Sequence, residues 1–304
     1  MGTSRVSHAS GDIGRFLAHT QERIDSALDR LLPPVSAEPR TMHEALRYAI
    51  FPGGKRVRPA VVLLAVEATG GKPDAHIDAA AGFEMIHTSS LILDDLPSQD
   101  NAATRRGKPA CHVQFGEATA VLASTALLTL GIRSISLTAA REHVPSAASV
   151  RILRLVADAI GTQGMIGGQI ADLGLDARGA TMESLEYVHR HKTGALFTAC
   201  AQTGALLAGA EEAQIASLTE WAKNVGLAYQ IADDILDAEG SAEALGKPVG
   251  QDVGKATFVG VFGLDVSKRI AGDLYAAAVA ALDVLGARKE KLVALTRWLE
   301  TRTT

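Results

Sequence analysis

Aromatic side chains are scarce, with 2 Trp, 4 Tyr and 7 Phe among 304 residues. A chain that is 47% hydrophobic with so few rings must fill its core with aliphatic side chains, chiefly Ala and Leu. Sustained period-two alternation of branched residues is also missing, which argues against a sandwich or barrel. Only two cysteines occur, Cys111 and Cys200, far apart and in no metal-ligand spacing. That leaves no disulfide framework and predicts a reduced, intracellular setting. A basic surplus is absent: 30 Lys and Arg face 34 Asp and Glu, a formal charge of −4, so nothing supports a nucleic-acid partner. No apolar stretch reaches the ~18 uninterrupted residues of a membrane span, and no signal-peptide pattern opens the chain. The expectation is a cytoplasmic protein with no stable membrane insertion.

What is present is helical periodicity, almost without interruption, so the predicted fold class is all-α. Residues 1–10 read as a disordered leader and 11–304 as one domain, with no solenoid repeat and no clear linker. A first helix is expected over about 11–31, and a second from Thr41, as N-cap with Glu44 three residues on, to Phe51-Pro52-Gly53-Gly54. Further helices are expected from about Asp74 into an acidic cluster, then over 117–143, 147–166 and 181–209. The last are a helix bearing a second acidic cluster, then 258–284 and 287–301.

The two acidic clusters are Asp94-Asp95-Leu96-Pro97-Ser98-Gln99-Asp100 and Asp233-Asp234-Ile235-Leu236-Asp237. No Lys or Arg occurs from Leu91 to Thr104 or from Asn224 to Gly246. Like charges one helical turn apart repel by ~0.2–0.5 kcal/mol per pair, so carboxylates this dense point to a cation from outside. Hard divalent ions with oxygen ligands, Mg2+ above all, suit that role. At 100° per residue, Gln230, Asp233, Asp234 and Asp237 share a face about 100° wide. A solvated acidic stripe would explain one such face; two separate clusters suit a polyanion such as diphosphate held through metal.

Basic groups recur at turns. Lys55-Arg56-Val57-Arg58-Pro59 follows two glycines, and Arg105-Arg106-Gly107-Lys108-Pro109 follows the first cluster. Glycine exposes backbone N–H groups, and Arg offers a planar fork to phosphate oxygens. Phe83, His87, Ser90 and Asp94 lie within about 60° on one helix face, with His87 ~10.5 Å below Asp94. Gln169 and Asp172 are three residues apart, and Lys192-Thr193 sits in an apolar run where a buried ammonium needs a partner. A polar loop after Gly240 carries Gly246-Lys247-Pro248 and Gly254-Lys255.

From about Thr41 to the C-terminus these residues resemble the trans-isoprenyl diphosphate synthases of the polyprenyl synthetase family, most of all bacterial geranylgeranyl diphosphate synthases. The resemblance rests on seven segments in order: GGKRVRP, EMIHTSSLILDD, DDLPSQDNAATRRGKP, GGQIADL, Lys192-Thr193, YQIADDILD and GKPVGQDVGKATF. It implies a large helical bundle around a deep central cavity, usually a homodimer. There an allylic diphosphate (dimethylallyl, geranyl or farnesyl) ionises and alkylates isopentenyl diphosphate. Carried over, Asp94, Asp95, Asp100, Asp233, Asp234 and Asp237 would hold Mg2+. Lys55, Arg58, His87 and Arg106 would bind isopentenyl diphosphate, and Arg105 the allylic one. Lys192, Thr193, Gln230, Lys247 and Lys255 would line the leaving-group and cation region. Ser89 and Ser90, small residues five and four before the first Asp, would leave the tail pocket deep and favour a twenty-carbon product.

Three departures stand out: Tyr229 in place of a Phe, the unusual Ser98-Gln99 pair, and a loop Gln251-Asp252-Val253-Gly254-Lys255 shorter than in many relatives, which bears on the role of Lys255. Three other readings compete. One is a farnesyl diphosphate synthase of the same mechanism. Another is a di-iron bundle using Glu84-x-x-His87 and Glu186-x-x-His189, which leaves every Asp and basic cluster idle. The third is a non-catalytic partner subunit, which would be expected to have lost Asp residues that are all present here.

Overall fold

A helix that is apolar on every side can only lie inside. Two stretches meet that description, α3 (Val57–Ala68) and α4 (Ile77–Asp94), and both are buried along most of their length. They form the centre of a computed structural model that describes residues 3–175, 178–240 and 256–302.

Helix α6 (Glu117–Arg141) runs along α4. The two backbones touch where both lack a side chain: a Cβ on Gly82 would sit 2.7 Å from the Gly131 carbonyl oxygen, and one on Gly131 2.6 Å from that of Gly82. Either substitution would push the helices apart. On the other flank α10 (Ala195–Leu207) packs on α3, and α11 (Glu212–Glu239) packs on α10 and on α13 (Leu264–Ala281). Trp221 of α11 is fully buried and donates its indole N–H to the Thr296 hydroxyl of α14 (Glu290–Glu300), 2.9 Å away. Helices α1 (Thr3–Leu31) and α2 (Arg40–Ile50) cover the outside of this bundle. The only described strands are two-residue β1 (Thr104–Arg105) and β2 (Lys108–Pro109), a hairpin.

The all-α class is as expected, but several boundaries move. Helix α1 starts at Thr3 rather than at 11, and α2 starts at Arg40 behind Pro39, so Thr41 lies inside it and caps nothing. The expected 147–166 helix is two, α7 (Ser146–Ile160) and α8 (Met165–Leu173), separated by a turn from Gly161 to Gly164. The expected 181–209 helix is α9 (Met182–Val188), a π-helical turn at His189–Gly194, and α10. Gly263, at φ +80°, divides the expected 258–284 helix into α12 (Phe258–Phe262) and α13. A 3-10 segment at Leu282–Lys289 then leads into α14. Two stretches, Glu117–Arg141 and Leu264–Glu300, are long and apolar enough by composition to cross a bilayer. A search for unbroken apolar runs passes over them because single polar residues interrupt each.

Candidate active site

Both acidic clusters stand on long helices, but their last residues are delivered differently. Helix α4 ends at Asp94, and Pro97 prevents its continuation. The chain doubles back instead: the Asp100 N–H donates to the Asp94 carbonyl at 2.9 Å, and the Asn101 N–H to the Leu96 carbonyl at 3.0 Å. Asp100 is thereby returned to Asp94. Burial, opposed by Lys192 and reinforced by Asp100, raises the Asp94 carboxyl to about 6. On α11 no such return is needed, because Asp233 and Asp237 are one helical turn apart in an unbroken helix.

The middle carboxylates have other partners. Asp95 is 2% exposed, and Arg105 Nε donates to its two oxygens at 3.0 and 3.1 Å while Nη2 adds a third bond. Asp95 holds Arg105, because the hairpin after the acidic loop swings that guanidinium onto it. Asp234 also meets the protein. Its Oδ2 accepts the Phe258 N–H at 2.9 Å, at the start of α12, and lies 4.0 Å from His189 Nε2.

The basic groups converge from three segments. Arg106 (φ +52°) and Gly107 (φ +74°) form the turn of the β1–β2 hairpin, and the Arg106 guanidinium donates to the Gly53 carbonyl. The second basic patch is thus tied to the first. Between them lies His87, whose pKa is pushed well below the usual imidazole value by burial and by Arg58, Arg106, Arg105 and Arg56. A neutral imidazole among four guanidinium groups marks a site that wants an anion. Arg58 lies over the Phe197 ring at 5.0 Å, and its Nε is buried without a hydrogen-bond partner. Lys55 is lowered by burial and by Arg302, with Asp233 opposing, which puts it near the second acidic wall.

The π-helical turn joins the two walls. Lys192 Nζ donates to Asp172 of α8 at 2.5 Å and faces Asp94 electrostatically. Its neighbour Thr193 donates to Gln230 Oε1 of α11 at 3.0 Å. An inserted residue in a helix re-aims adjacent side chains, and π-turns favour functional sites for that reason. Gly168 is required here, since a Cβ would lie 2.2 Å from the Lys192 backbone nitrogen.

Ser90 is half-buried on the Asp94 face and donates to the His87 carbonyl at 2.8 Å. Ser89 points elsewhere: its Oγ is 3.0 Å from Ser124 Oγ in the α4–α6 contact. Lys247 and Lys255 lie outside the described residues. Three functional side chains escaped the sequence reading. Arg56 is fully buried at φ +47° and bonds Asp25 at 2.9 Å, Glu84 at 2.7 Å and the Ile50 carbonyl at 2.9 Å. It fixes the turn that carries Lys55 and Arg58; its position inside a run of cations was the available signal. Arg302 bonds Asp233 at 2.5 Å and lies 3.8 Å from the Tyr229 ring centroid. Gln99 accepts from Gln169 at 2.7 Å.

These partners dispose of the di-iron reading. Glu84 is committed to Arg56, Glu186 pairs with Arg190 at 3.3 Å, and His189 is buried against Phe258. Among the described residues no three His, Cys, Asp or Glu side chains are grouped to hold a metal by themselves. A cavity of about 660 Å³ between α1, α4 and α6 lies away from both walls, and its Arg23, Arg30 and Arg141 are already paired with Asp74 and Asp78.

Residues 39–285 match the polyprenyl synthetase family. The chain is 42% identical to geranylgeranyl pyrophosphate synthase 4 of Arabidopsis thaliana over 299 residues, covering 96% of this chain and 79% of that protein. It is also 42% identical to the farnesyl diphosphate synthase of Geobacillus stearothermophilus over 258 residues, covering 84% of this chain and 86% of that one. The solved geranylgeranyl pyrophosphate synthetase of Pyrococcus horikoshii superposes with a TM-score of 0.85 at 32% identity, covering 95% and 99% of the two chains. Family match, sequence identity and fold agree, and the chain belongs to the polyprenyl synthetase family.

Proposed function

We propose that this chain, a trans-prenyltransferase by family, extends allylic diphosphates with isopentenyl diphosphate and ends mainly at geranylgeranyl diphosphate. The observation that carries the reading is the meeting of two acidic walls through Lys192 and Thr193, adjacent residues that face Asp94 and bond Gln230 respectively. Asp94 and Asp100 on one side, and Asp233 with Asp237 on the other, would hold Mg2+. When bound, that ion supplies Lewis-acid stabilisation of charge on the departing diphosphate. Lys192 and Arg105 add fixed positive charge there, in a site dry enough to make it count. Lys55, Arg58 and Arg106 hold the second diphosphate, and neutral His87 adds a hydrogen-bond donor among them. Lys247 and Lys255 are further candidates for the leaving-group side.

Small Ser90 on the Asp94 face supports a deep tail pocket. The farnesyl reading keeps its place because a farnesyl diphosphate synthase is among the similar proteins. Purified protein given dimethylallyl and isopentenyl diphosphates with Mg2+ is expected to yield a twenty-carbon end product; a fifteen-carbon one rejects the longer pocket. Ser89→Phe, which places a ring at the α4–α6 contact, is expected to shorten that product, and unchanged length removes Ser89 from the argument.

A single-domain homodimer in the cytoplasm completes the reading. Helix α6 leaves Leu122 and Leu137 exposed at 58% and 52%, about 60° apart around its axis, an apolar face that a second copy would cover. Both cysteines are free and buried, as a reducing compartment permits. Light scattering at micromolar concentration should give twice the chain mass.

A further inference from the structure

Helix α8 is held in an unusual way. Of its nine residues only Gly168 is buried, while Ile166, Ile170 and Leu173 are 50%, 68% and 49% exposed. Beyond the Gly168 approach to the Lys192 backbone and the half-buried Met165, little apolar surface fixes where this helix lies, so its polar contacts add to its placing. Two are available. Asp172 takes the Lys192 ammonium at 2.5 Å, and Gln169 Nε2 donates to Gln99 Oε1 at 2.7 Å.

The second contact reaches into the acidic loop. Gln99 directly precedes Asp100, and its N–H is bonded to the Leu96 carbonyl at 2.9 Å inside the turn that returns Asp100 to Asp94. A single amide–amide bond thus spans from the loop carrying one wall's carboxylates to the helix that aims Lys192. We infer that Gln99 and Gln169 are a positioning pair, which sets Asp94 and Asp100 against Lys192 for the allylic diphosphate. This rests on the reading in the preceding subsection. It also gives the unusual Ser98-Gln99 pair a use: a shorter side chain at 99 would leave α8 without its tie to the loop.

The pair is neutral and partly buried, so its loss should cost about 0.5–1.5 kcal/mol, or roughly 2- to 12-fold, where the geometry it holds is used. The test compares Q99A, Q169A, the double variant and Q99E in the full-length chain. Two readouts serve: steady-state constants for each substrate, and Mn2+ binding by EPR with inorganic pyrophosphate as probe. Each single alanine variant should raise KM for the allylic diphosphate and weaken Mn2+–pyrophosphate binding within that range, leaving KM for isopentenyl diphosphate unchanged. Because the two side chains act as one unit, the double variant should be no worse than the poorer single. Q99E keeps an acceptor for Gln169 Nε2 and should recover most of the lost allylic KM. Allylic KM at the wild-type value in both singles, or a double variant equal to the product of the singles, overturns the pairing. An equal rise in both substrates' KM overturns it too, since that marks general loosening. Should Q99A fail to fold, Q99E and Q169A carry the same comparison. Absence of turnover in the wild type would strike the parent reading instead, while Mn2+–pyrophosphate binding would still judge the pair.

Discussion

In the first acidic wall a proline ends the helix and the chain doubles back to return Asp100 to Asp94; the second is one unbroken helix from Gln230 to Asp237. The first needs a loop, a hairpin and α8 to hold its geometry, whereas the second inherits its spacing from helical rise alone. Despite this, both spend their middle carboxylate on the protein. Asp95 grips Arg105, and Asp234 takes the first N–H of α12. Asp233, an outer carboxylate, also meets the protein through Arg302, so each wall mixes protein contacts with carboxylates proposed for the ligand side. A run of aspartates is therefore a mixed set, in which neighbours 100° apart on a helix face different surroundings.

Substitution separates the two kinds of carboxylate. Asp94→Ala or Asp233→Ala should lower kcat by about 10³-fold or more, as expected when transition-state charge stabilisation is lost. Near-normal turnover in either would end the shared-wall account. Asp95→Asn should act through Arg105: losing a charge-assisted hydrogen bond of ~1.5–3 kcal/mol corresponds to roughly 10- to 150-fold, chiefly in KM for the allylic diphosphate. Mn2+ affinity should stay near the wild-type value, and a loss as deep as that of Asp94→Ala would restore Asp95 to the ligands.

Asp234→Ala should be milder still, removing a helix-end contact of ~1 kcal/mol. A melting temperature lower by about 2–4 °C with turnover reduced only severalfold is the expected pattern. Beside it, His189 supplies a pH test. Burial lowers its pKa to about 4, so as the medium is acidified the unfolded chain takes up that proton first. The neutral ring's contribution to stability is complete above about 6.5, the ordinary imidazole value, and drains away as pH falls toward 4. His189→Gln should flatten the melting-temperature profile across that window; an unchanged slope would locate the acid sensitivity elsewhere.

The sequence reading singled out both acidic clusters, the two basic patches beginning at Lys55 and Arg105 and the Lys192-Thr193 step because each depends on residue type and short spacing. It set the helix ends less well. Thr41 looked like a cap by chemistry, but the cap position falls on Pro39, so the helix begins two residues earlier. The 181–209 run read as one helix because apolar periodicity does not register one extra residue, and that residue makes the π-turn aiming Lys192 and Thr193. Ser89 shows the opposite limit: its spacing put it about 140° from Asp94, and the structure gives it Ser124 as its neighbour.

Composition and periodicity by themselves determined the all-α class and the two acidic faces, because helical spacing and the need of clustered carboxylates for a cation are local physics. Which protein partner each carboxylate meets was decided only by tertiary packing. Asp95 is distinguished from Asp94 by a hairpin ten residues on, and Asp234 from Asp233 by an N–H 24 residues on. Arg56 meets Glu84, and Gln99 meets Gln169, across gaps of 28 and 70 residues. A linear reading has no term for such distances, which only the packing of helices and the return of loops can close.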